Sequence, residues 1–481
     1  MRRRAFPLLM LLLAGCTVGP DYHRPELSVP GDFRGRAPDA PPAAQSLGDV
    51  AWWQIFQDET LQSLIRTALA ENYDVRIATA RIFQARAQVT YTRSFQAPDL
   101  SGSASAPYTR ILGDRAPLQF KESFSPLGTF DLFWEIDFWG RLRRATEASR
   151  GDLLATESAQ RFVVTTLVSD VATAYFQLRE LDLELEISRR TLASRENSLR
   201  LVKIRQQGAV AGMMDVRQAE VLLYTATGTV PDVERRIEQT ENLISILLGR
   251  NPDAVPRGRP LLQQLALPAV PAGLPSSLLE RRPDVVQAES QLAAATARIG
   301  VAKADYFPRI LLTGAVGAGG VKIDSSWFGP QGILAIAPQA TLPIFNWGRT
   351  GAGVDTATGA AQEALARYQQ TVQGAFRDVS DSLIEHRKRG EFRVQQEALV
   401  ESLRDAARLA DIRYRGGVSS YLEVLDTERQ LFDAELQLAQ AQRDELLAVV
   451  RLYRALGGGW ETGAEPRPAT AEKPSAGAPA F

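Results

Sequence analysis

The sequence predicts a mostly α-helical, internally duplicated protein with a smaller β portion that crosses a membrane. Three observations support this fold class. They are two very long helical hairpins with heptad-spaced apolar residues, a repeat of the same motifs 208 to 210 residues apart, and short segments of alternating polar and apolar residues between helices. A globular core has no need of helices this long, so the pattern favours an elongated assembly.

The second helical hairpin, residues 349–456, has the clearest pattern. From Arg349 to Tyr414 the chain runs 66 residues without a proline, and a helix of that length would span roughly 100 Å. A tight turn follows at residues 416–420. The next helix carries apolar residues at heptad spacing: Leu425, Phe432, Leu436, Ala439, Leu446, Val450 and Tyr453. This spacing predicts supercoiled helix packing.

The first hairpin, residues 141–248, repeats the second at an offset of 208 residues. The matching pairs are Trp139 and Trp347, Asp170 and Asp378, Gly208 and Gly416, Asp215 and Glu423, Glu220 and Glu428, and Leu248 and Leu456. The chain therefore divides into repeats 51–250 and 278–457, joined by the proline-rich link 251–277. The heptad seams alone fit a cytosolic or fibrous coiled coil equally well.

The N-terminal segment predicts export and a lipid anchor. Residues 1–15 have the basic, apolar and small-residue order of a signal peptide. Cys16 is the only cysteine and directly follows a Leu-Ala-Gly tripeptide. This resembles a bacterial lipobox and predicts lipidation of Cys16, in preference to an incidental thiol. We predict that residues 16–50 form the lipid anchor and an extended strap, and that residues 458–481 form a disordered tail.

Charge and composition argue against nucleic acid binding and against catalysis. Removal of residues 1–15 takes away three arginines and no acidic side chain, which leaves 52 basic against 56 acidic residues. That balance disfavours nucleic acid as a partner, because phosphate binding needs a basic face. The two histidines, His23 and His386, lack a neighbouring nucleophile or acid motif. We therefore predict that the protein is not an enzyme and has no cofactor and no metal site.

Four segments with a period of two predict membrane strands: residues 99–111, 124–138, 309–320 and 333–345. In the second segment, apolar residues alternate with Asp131, Glu135 and Asp137. A strand of a soluble sandwich would alternate in the same way, but an exported chain with acidic residues on the inner face favours a water-filled barrel. Four strands cannot close a barrel, so several chains must share one. Pro338 predicts a bulge in the last strand.

Several motifs together carry a resemblance to a known family. They are Thr17-Val18-Gly19-Pro20-Asp21-Tyr22, Trp52-Trp53 with Phe56, Trp134-Glu135-Ile136-Asp137-Phe138-Trp139-Gly140, Leu279-Glu280-Arg281-Arg282-Pro283-Asp284-Val285, Pro343-Ile344-Phe345 and Tyr421-Leu422-Glu423-Val424-Leu425-Asp426. With these motifs the chain resembles the outer membrane efflux factors, the TolC-like channel proteins, and among them the lipidated OprM/NodT branch. The resemblance extends from Cys16 to Trp460.

This resemblance implies a homotrimer. Three chains would build a twelve-strand β-barrel in the outer membrane, a twelve-helix α-barrel tunnel in the periplasm and an equatorial domain around the tunnel. The resemblance also implies two protein partners, a periplasmic adaptor (membrane fusion) protein and an inner membrane transporter of the RND type. The expected location is the outer membrane, where the lipid on Cys16 would insert among the membrane lipids.

The resemblance further implies which residues form the periplasmic end of the channel. The expected gate residues are Tyr414, Leu422, Glu423, Asp426 and Arg429. The expected hairpin tips, where the adaptor or the pump would dock, are Gly208, Gly212, Asp215, Gly416, Gly417, Val418 and Ser419. We expect a nearly closed, cation-selective ring of Asp426 carboxylates, with Arg429 paired to carboxylates on neighbouring helices. Ordinary solvated charges on a helix face are the simpler alternative.

The function implied is that of an exit duct for drugs or other small toxic molecules in a tripartite efflux pump, gated at its periplasmic tip. A structural periplasmic coiled-coil lipoprotein or adaptor would explain the seams and the lipobox but not the strands. A heavy-metal efflux channel is a further alternative. Soft metals prefer methionine and histidine ligands, and of the four methionines only Met213 and Met214 are adjacent.

Overall fold

The computed structural model describes residues 17–35, 46–111, 122–264 and 275–460 of the 481-residue chain. The predictions for the signal peptide and for lipidation of Cys16 lie outside the described residues. So do the predicted tail from residue 461 onward and the middle of the proline-rich link. Among the described residues, no helix contains a stretch long and apolar enough to cross a membrane.

Fifteen regular elements occur in the described residues, apart from two short 3₁₀ turns at Leu47–Asp49 and Leu261–Gln264. In chain order they are α1 (Trp52–Ile55), α2 (Glu59–Glu71), α3 (Tyr73–Ser94), β1 (Asp99–Ser105), β2 (Tyr108–Arg110), β3 (Glu122–Phe124), β4 (Leu127–Ile136), α4 (Arg141–Gln207), α5 (Met213–Leu247), α6 (Pro275–Arg281), α7 (Pro283–Ala304), β5 (Arg309–Ile323), β6 (Ser326–Thr341), α8 (Arg349–Arg415) and α9 (Tyr421–Ala455).

The four long helices come in two pairs of equal length. Helices α4 and α8 have 67 residues each, and α5 and α9 have 35 each. A length of 67 residues corresponds to roughly 100 Å. Both α4 and α8 end immediately before a glycine, Gly208 and Gly416, as is common at helix C-termini. The equal lengths are those expected from the sequence repeat.

The strands form one antiparallel sheet in the order β1-β4-β5-β3-β2, with β6 also paired to β5. The pairing of β4 with β5 is continuous from Leu127 opposite Gly319 to Ile136 opposite Ile310. The pairing of β5 with β6 begins with Arg309 opposite Thr341. Among the described strands, β1 pairs only with β4, and β6 pairs only with β5. The sheet of one chain therefore has open edges.

The first pair of predicted strands differs from the structure in continuity. The predicted segment 99–111 is two strands, β1 and β2, and the segment 124–138 corresponds to β3 and β4, which begin at Glu122 and end at Ile136. The breaks contain Pro107 and Pro126, and proline has no N–H to donate to a ladder. The carbonyl of Pro107 accepts a hydrogen bond from the Ser125 N–H at 3.0 Å, which links the two breaks.

The second pair of strands also differs from the prediction. The segments 309–320 and 333–345 correspond to β5 and β6, which are longer at their shared end and are joined by a two-residue turn. Strand β6 ends at Thr341. The predicted bulge at Pro338 is wrong, because Pro338 lies directly opposite Leu312 in regular register. The register shifts instead between Gly319 and Val321. The Trp327 ring leaves no room for a Cβ on Gly320, so a tightly packed indole accompanies the shift.

The described residues divide into two compact units. The strand unit comprises those within Met1–Ser28, Ala78–Ala159 and Asp284–Val372, and the hairpin unit those within Val29–Ile77, Gln160–Pro283 and Gln373–Phe481. In the strand unit, residues of the strap are bound in place: the Val18 N–H donates to the Trp139 carbonyl at 3.0 Å, and Arg144 pairs with Asp21 at 2.6 Å.

In the hairpin unit, the buried carboxylate of Asp58 joins three segments. It caps α2 by accepting from the Thr60 N–H at 2.9 Å, and it accepts from the Tyr175 hydroxyl of α4 at 2.7 Å. It also accepts from the Arg259 N–H at 2.9 Å, which anchors the described part of the link. The polar group is buried at low cost, because several donors satisfy it.

The C-terminal prediction is wrong for its first three residues. Gly458 packs against the Tyr453 ring, and the Trp460 ring lies 5.2 Å from the Arg161 guanidinium. Residues 458–460 are therefore packed and do not belong to a disordered tail, because an indole and a glycine contact offset the entropy of ordering.

Candidate functional site

The turn between α4 and α5 is stabilised by its own backbone. The Val210 N–H donates to the Arg205 carbonyl at 2.9 Å, and Ala209 has a positive φ of 58°. Asp215, in the first turn of α5, accepts from the Gly212 N–H at 3.0 Å. A carboxylate at this position caps the helix and complements its dipole. Gly208, Gly212 and Asp215 thus belong to the turn and its cap.

The turn between α8 and α9 has the same construction. The Val418 N–H donates to the Arg413 carbonyl at 3.0 Å, and Gly417 has a φ of 74°, which glycine adopts without strain. Gly416 and Ser419 complete the turn, and the Val418 side chain is 73% exposed. The apolar side chain therefore faces solvent in the isolated chain.

A compact apolar cluster beneath the turns joins all four long helices. Its buried members are Leu199, Val202, Val216, Ala219, Ala410, Tyr414, Tyr421 and Val424. Residues of α4 and α5 thus contact residues of α8 and α9, which means the ends of the two hairpins pack as one body within the hairpin unit.

Tyr414 contributes a buried aromatic ring to this cluster. Its ring lies 5.2 Å from the Tyr421 ring and 4.4 Å from the Arg205 guanidinium, which also donates to the Tyr414 carbonyl at 3.2 Å. Burial raises the pKa of both tyrosine hydroxyls, so both stay neutral at physiological pH. The Arg205 cation on an aromatic face is an attractive contact that links α4 to α8.

The other predicted gate residues lie on α9 and are not part of the buried cluster. Leu422 is 61% exposed, and Glu423 reaches Arg413 at 3.7 Å. Asp426 accepts from Arg429 at 3.0 Å and from Gln430 at 2.6 Å. Within the chain, the Asp426 contacts are thus to its own helix. The structure therefore does not bring Tyr414 together with Asp426, and within one chain these exposed ion pairs contribute little to stability.

Arg429 also lies 4.0 Å from Asp433, again on its own helix. The expected pairing of Arg429 with carboxylates on neighbouring helices does not occur among the described residues of this single chain. Spacings of three and four residues place both acids next to Arg429 on one helix face. Any pairing with other helices requires further copies of the chain.

The sequence did not predict a groove that several residues of the cluster help to line. Side chains of α4, α8 and α9 line this groove, which has a volume of about 820 Å³. Arg195 is buried beside it, donates to the Leu222 carbonyl at 2.7 Å and lies 5.0 Å from the Phe432 ring. Burial lowers the pKa of Arg195 and raises that of the nearby Glu428 carboxyl, an effect Arg195 opposes. The only signal in the sequence is an arginine at an apolar heptad position.

The chemistry available at this site is packing and charge. Among the described residues, no group of three or more histidine, cysteine or acidic side chains is placed to hold a metal ion. His386 is half-buried, and burial lowers its pKa, which favours the neutral imidazole at physiological pH. The arrangement packs the ends of the four long helices against one another.

The fold and the hairpin ends define a class of protein, in which each of two repeats has a helix of 67 residues, a helix of 35 residues and antiparallel strands. The hairpin turns lie next to a cluster that contains two tyrosines. The chain belongs to the outer membrane efflux protein family, whose profile matches residues 64–250 and 274–458. The two matched regions begin 210 and end 208 residues apart, the offsets of the sequence repeat.

The chain is similar to several known members over nearly its whole length. It is 36% identical over 469 residues to the solvent efflux pump outer membrane protein SrpC of Pseudomonas putida, covering 96% of this chain and 99% of that protein. It is 34% identical over 456 residues to the cation efflux system protein CusC of Escherichia coli, covering 94% and 97%. The structure of the outer-membrane channel OprN aligns with a TM-score of 0.84 at 32% identity, covering 92% of this chain and 100% of that one.

These findings confirm the predicted family, function and location. The protein is a TolC-like efflux channel of the outer membrane, and it forms the exit duct of a tripartite efflux system. Channels of this family work with an adaptor and an inner membrane transporter, and the relatives are channel proteins rather than enzymes. The interpretation as a purely structural coiled-coil lipoprotein is thereby superseded.

Proposed function

We propose that three copies of the chain form one channel, with a shared twelve-strand barrel, a twelve-helix tunnel and a gate at the hairpin ends. The observation that carries this proposal is the pair of open sheet edges at β1 and β6. Unpaired backbone groups are not tolerated in hydrocarbon, so each edge needs a partner strand, and another copy supplies a matching one.

The exposed side of the sheet supports a membrane location for these strands. Phe130, Val316 and Leu334 are directly opposite one another on β4, β5 and β6, and they are 62%, 52% and 78% exposed. Ile336, two residues further along β6, is 70% exposed. Asp131 faces the other way and accepts from Ser103 at 2.9 Å. An apolar row on one face and hydrogen-bonded acids on the other suit a barrel with lipid outside and water inside.

Assembly is tested by measuring the mass of the purified channel in detergent. The expected species is a trimer, whose dissociation coincides with loss of sheet structure because the strands close only by sharing. A stable, folded monomer would contradict the shared barrel.

We propose further that Asp426 lines the narrowest part of the tunnel, with Leu422, Glu423 and Arg429 around it and the Tyr414 cluster holding the hairpin ends together. The support is the 61% exposure of Leu422 and the half-exposed Asp426 and Arg429 on one face of α9. A threefold axis would bring three such carboxylates close together, where they attract cations and repel one another.

Planar bilayer recordings of Asp426→Ala and Arg429→Ser in asymmetric salt test the gate. Both variants should conduct more than the parent, and Asp426→Ala should lose cation selectivity. Glu391→Ala serves as the control, because Glu391 is an exposed acid on α8 that pairs with Lys388. Unchanged conductance and reversal potential in Asp426→Ala would place these residues among ordinary solvated charges.

The hairpin turns are the proposed docking site for the adaptor and the RND transporter. The support is the exposure of apolar side chains there: Val418 is 73% exposed, and Val210, Met213 and Met214 are 68%, 55% and 69% exposed. Photo-crosslinkers placed at Val418 should capture the adaptor in intact cells, whereas a crosslinker at the mid-helix residue Glu391 should not. Capture at both positions would argue against tip docking.

We propose small organic toxic compounds as the exported class, and lipidation of Cys16 as the anchor. The similarity to a solvent efflux protein supports the first, and a cation efflux protein of 34% identity keeps metal export as the second candidate. Growth of a deletion strain on organic solvents and on copper or silver salts separates the two. Mass spectrometry of the mature amino terminus tests the lipid, and an unmodified Cys16 would refute it.

A further inference from the structure

Two glutamates one helical turn apart lie inside the hairpin unit, far along α4 from the hairpin ends. Glu180 is completely buried and Glu184 is 2% exposed. Carboxylates are rarely buried to this extent unless they are paired. Their neighbours come from two other helices, α5 and α9.

Glu184 has the hydrogen-bond partners of an ionised carboxylate. Arg236 of α5 donates to its Oε2 at 2.8 Å, and the Gln440 side chain of α9 donates to its Oε1 at 3.0 Å. Both oxygens therefore accept from a donor on a different helix. This side chain joins α4 to both α5 and α9.

Glu180 is less well provided with donors. Arg443 of α9 donates to its Oε2 at 3.2 Å, but among the described residues its buried Oε1 has no N–H or O–H donor of another side chain or backbone group. Glu180 and Glu184 are four residues apart on α4, a spacing that places their side chains next to each other on one helix face. Two carboxylates cannot hydrogen-bond to each other unless one of them carries a proton.

The positive charge near Glu180 is largely committed elsewhere. Arg443 directs its Nε and Nη2 at Asp444, at 3.0 Å and 2.7 Å. Arg389 of α8 also pairs with Asp444, at 2.9 Å. From α5, Arg236 is bound to Glu184. Among the described charged groups of α5, α8 and α9, only the Arg443 guanidinium donates to Glu180, at 3.2 Å, and it also donates to Asp444.

We propose that Glu180 and Glu184 form a proton-binding site, in which one proton shared between the two carboxyls holds α9 and α5 against α4. In this arrangement Glu180 carries the proton and Glu184 accepts the hydrogen bond, while Arg236 and Gln440 orient Glu184. The site is independent of the hairpin ends and of the proposed gate. Through this site, the packing of α5 and α9 against α4 depends on pH.

The electrostatics agree with the geometry. Burial raises the pKa of Glu180 well above its ordinary value, the hydrogen bond and the charge of Glu184 raise it further, and Arg443 and Arg236 oppose the shift. A raised folded-state pKa means that the stabilising effect is fully present below the ordinary glutamate pKa of about 4.3 and is lost as pH rises through the raised value. Above it, the proton passes to water and a second negative charge remains in the seam.

Infrared titration of the purified full-length channel tests whether the proton is there. The parent should have a protonated-carboxyl band that persists well above pH 5 and disappears at more alkaline pH. Glu180→Gln, which keeps the shape and cannot ionise, should lose the Glu180 part of this band, whereas any part that comes from Glu428, whose pKa is also raised, should remain. Glu234→Gln, an exposed glutamate of α5 paired with Arg189, should retain it. A parent without the band at neutral pH, or a band unchanged in Glu180→Gln, would overturn the proposal.

Hydrogen exchange of α9 around Gln440 tests whether the proton holds the helices. After correction for the intrinsic effect of pH, opening of this segment in the parent should increase by up to about tenfold per pH unit as the proton is lost. In Glu180→Gln the opening should not depend on pH, and Glu234→Gln should follow the parent. An equal pH response in all three proteins would refute a role in packing. This readout does not require that Asp426 form a gate.

Discussion

The guanidinium of Arg282 donates to the carboxylate of Asp378 at 2.7 Å and to the Ala455 carbonyl, at the end of α9, at 3.4 Å. Asn72 occupies the equivalent position 210 residues earlier, and its side chain donates to the Leu247 carbonyl at the end of α5 at 2.9 Å. In both repeats, the side chain directly before a 22-residue helix, α3 or α7, therefore caps the C-terminus of a long helix, α5 or α9. It donates to a carbonyl oxygen that has no partner within its own helix. Arg282 also forms an ion pair, which the uncharged Asn72 amide cannot.

Replacement of Arg282 by alanine should lower the free energy of unfolding by about 2 kcal/mol, because it removes hydrogen bonds from a charged group to a carboxylate and to carbonyl oxygens. Arg377→Ala is the matched control. Arg377 contacts the same Asp378 carboxylate but is 71% exposed, so its loss should cost less than about 1 kcal/mol. Urea denaturation of the two variants measures the difference. Equal effects would mean that burial of Arg282 is unimportant.

The Arg282 effect should depend on pH. Burial opposes ionisation of Asp378, but the hydrogen bonds from Arg282 and Arg377 outweigh it and lower the pKa of this carboxyl. A lowered folded-state pKa gives stability that is present above the ordinary aspartate pKa of about 3.9 and is lost as pH falls through the folded value. The stability difference between the parent and Arg282→Ala should thus shrink in acid. A constant difference would point to the carbonyl contacts alone.

At the hairpin ends, Tyr414→Phe and Tyr414→Ala should have very different effects. The ring is buried, while its hydroxyl has no hydrogen-bond partner among the described residues. The phenylalanine variant should keep the parent's stability or exceed it, and the alanine variant should lose about 3 to 5 kcal/mol. Hydrogen exchange of residues 405–425 measures the opening. Equal opening in both variants would mean that the hydroxyl makes a bond that only the assembled channel provides.

Glu289 should control attachment of the strap to the strand unit. Arg24 binds this carboxylate through its Nε at 2.8 Å and its Nη2 at 2.5 Å, and the Tyr22 hydroxyl donates to it at 3.1 Å. Glu289→Ala should increase the rate of chymotrypsin cleavage after Tyr22 about tenfold, because local release exposes the peptide bond. Glu26→Ala, an exposed acid of the strap, is the control. Resistance of Glu289→Ala to cleavage would mean that Asp21 and Val18 hold the strap by themselves.

Periodic features were predictable because they depend on local residue spacing. The heptad seams place Phe432, Ala439 and Leu446 in buried positions, and the two hairpin turns fall at glycines where the helices end. The tip residues from Gly208 to Asp215 and from Gly416 to Ser419 follow from the same local rule. The strand ends were less well predicted: Pro107 and Pro126 lie in the breaks of the first pair, and the second pair extends to a two-residue turn.

The contacts between distant residues were not predictable in this way. Glu180 and Glu184 are ordinary helix residues by local criteria, and their burial depends on α5 and α9, which follow tens to hundreds of residues later. Arg195 is a charged residue at an apolar heptad position, which the sequence shows, but only the fold places its guanidinium over the Phe432 ring. Side-chain partners at such separations are determined by packing, for which a single sequence carries no periodic signal.

By itself, the sequence determined the duplication, the length of the helices, the position of the turns and the resemblance that identified the family, since each depends on residues near one another or on motifs read in order. Only the tertiary structure decided which charges are buried and which are solvated. It placed Tyr414 in a core and left Asp426 on an exposed face, although both were expected at one gate. The physical reason is that desolvation depends on neighbours from all sides, and those neighbours exist only after the four long helices have packed.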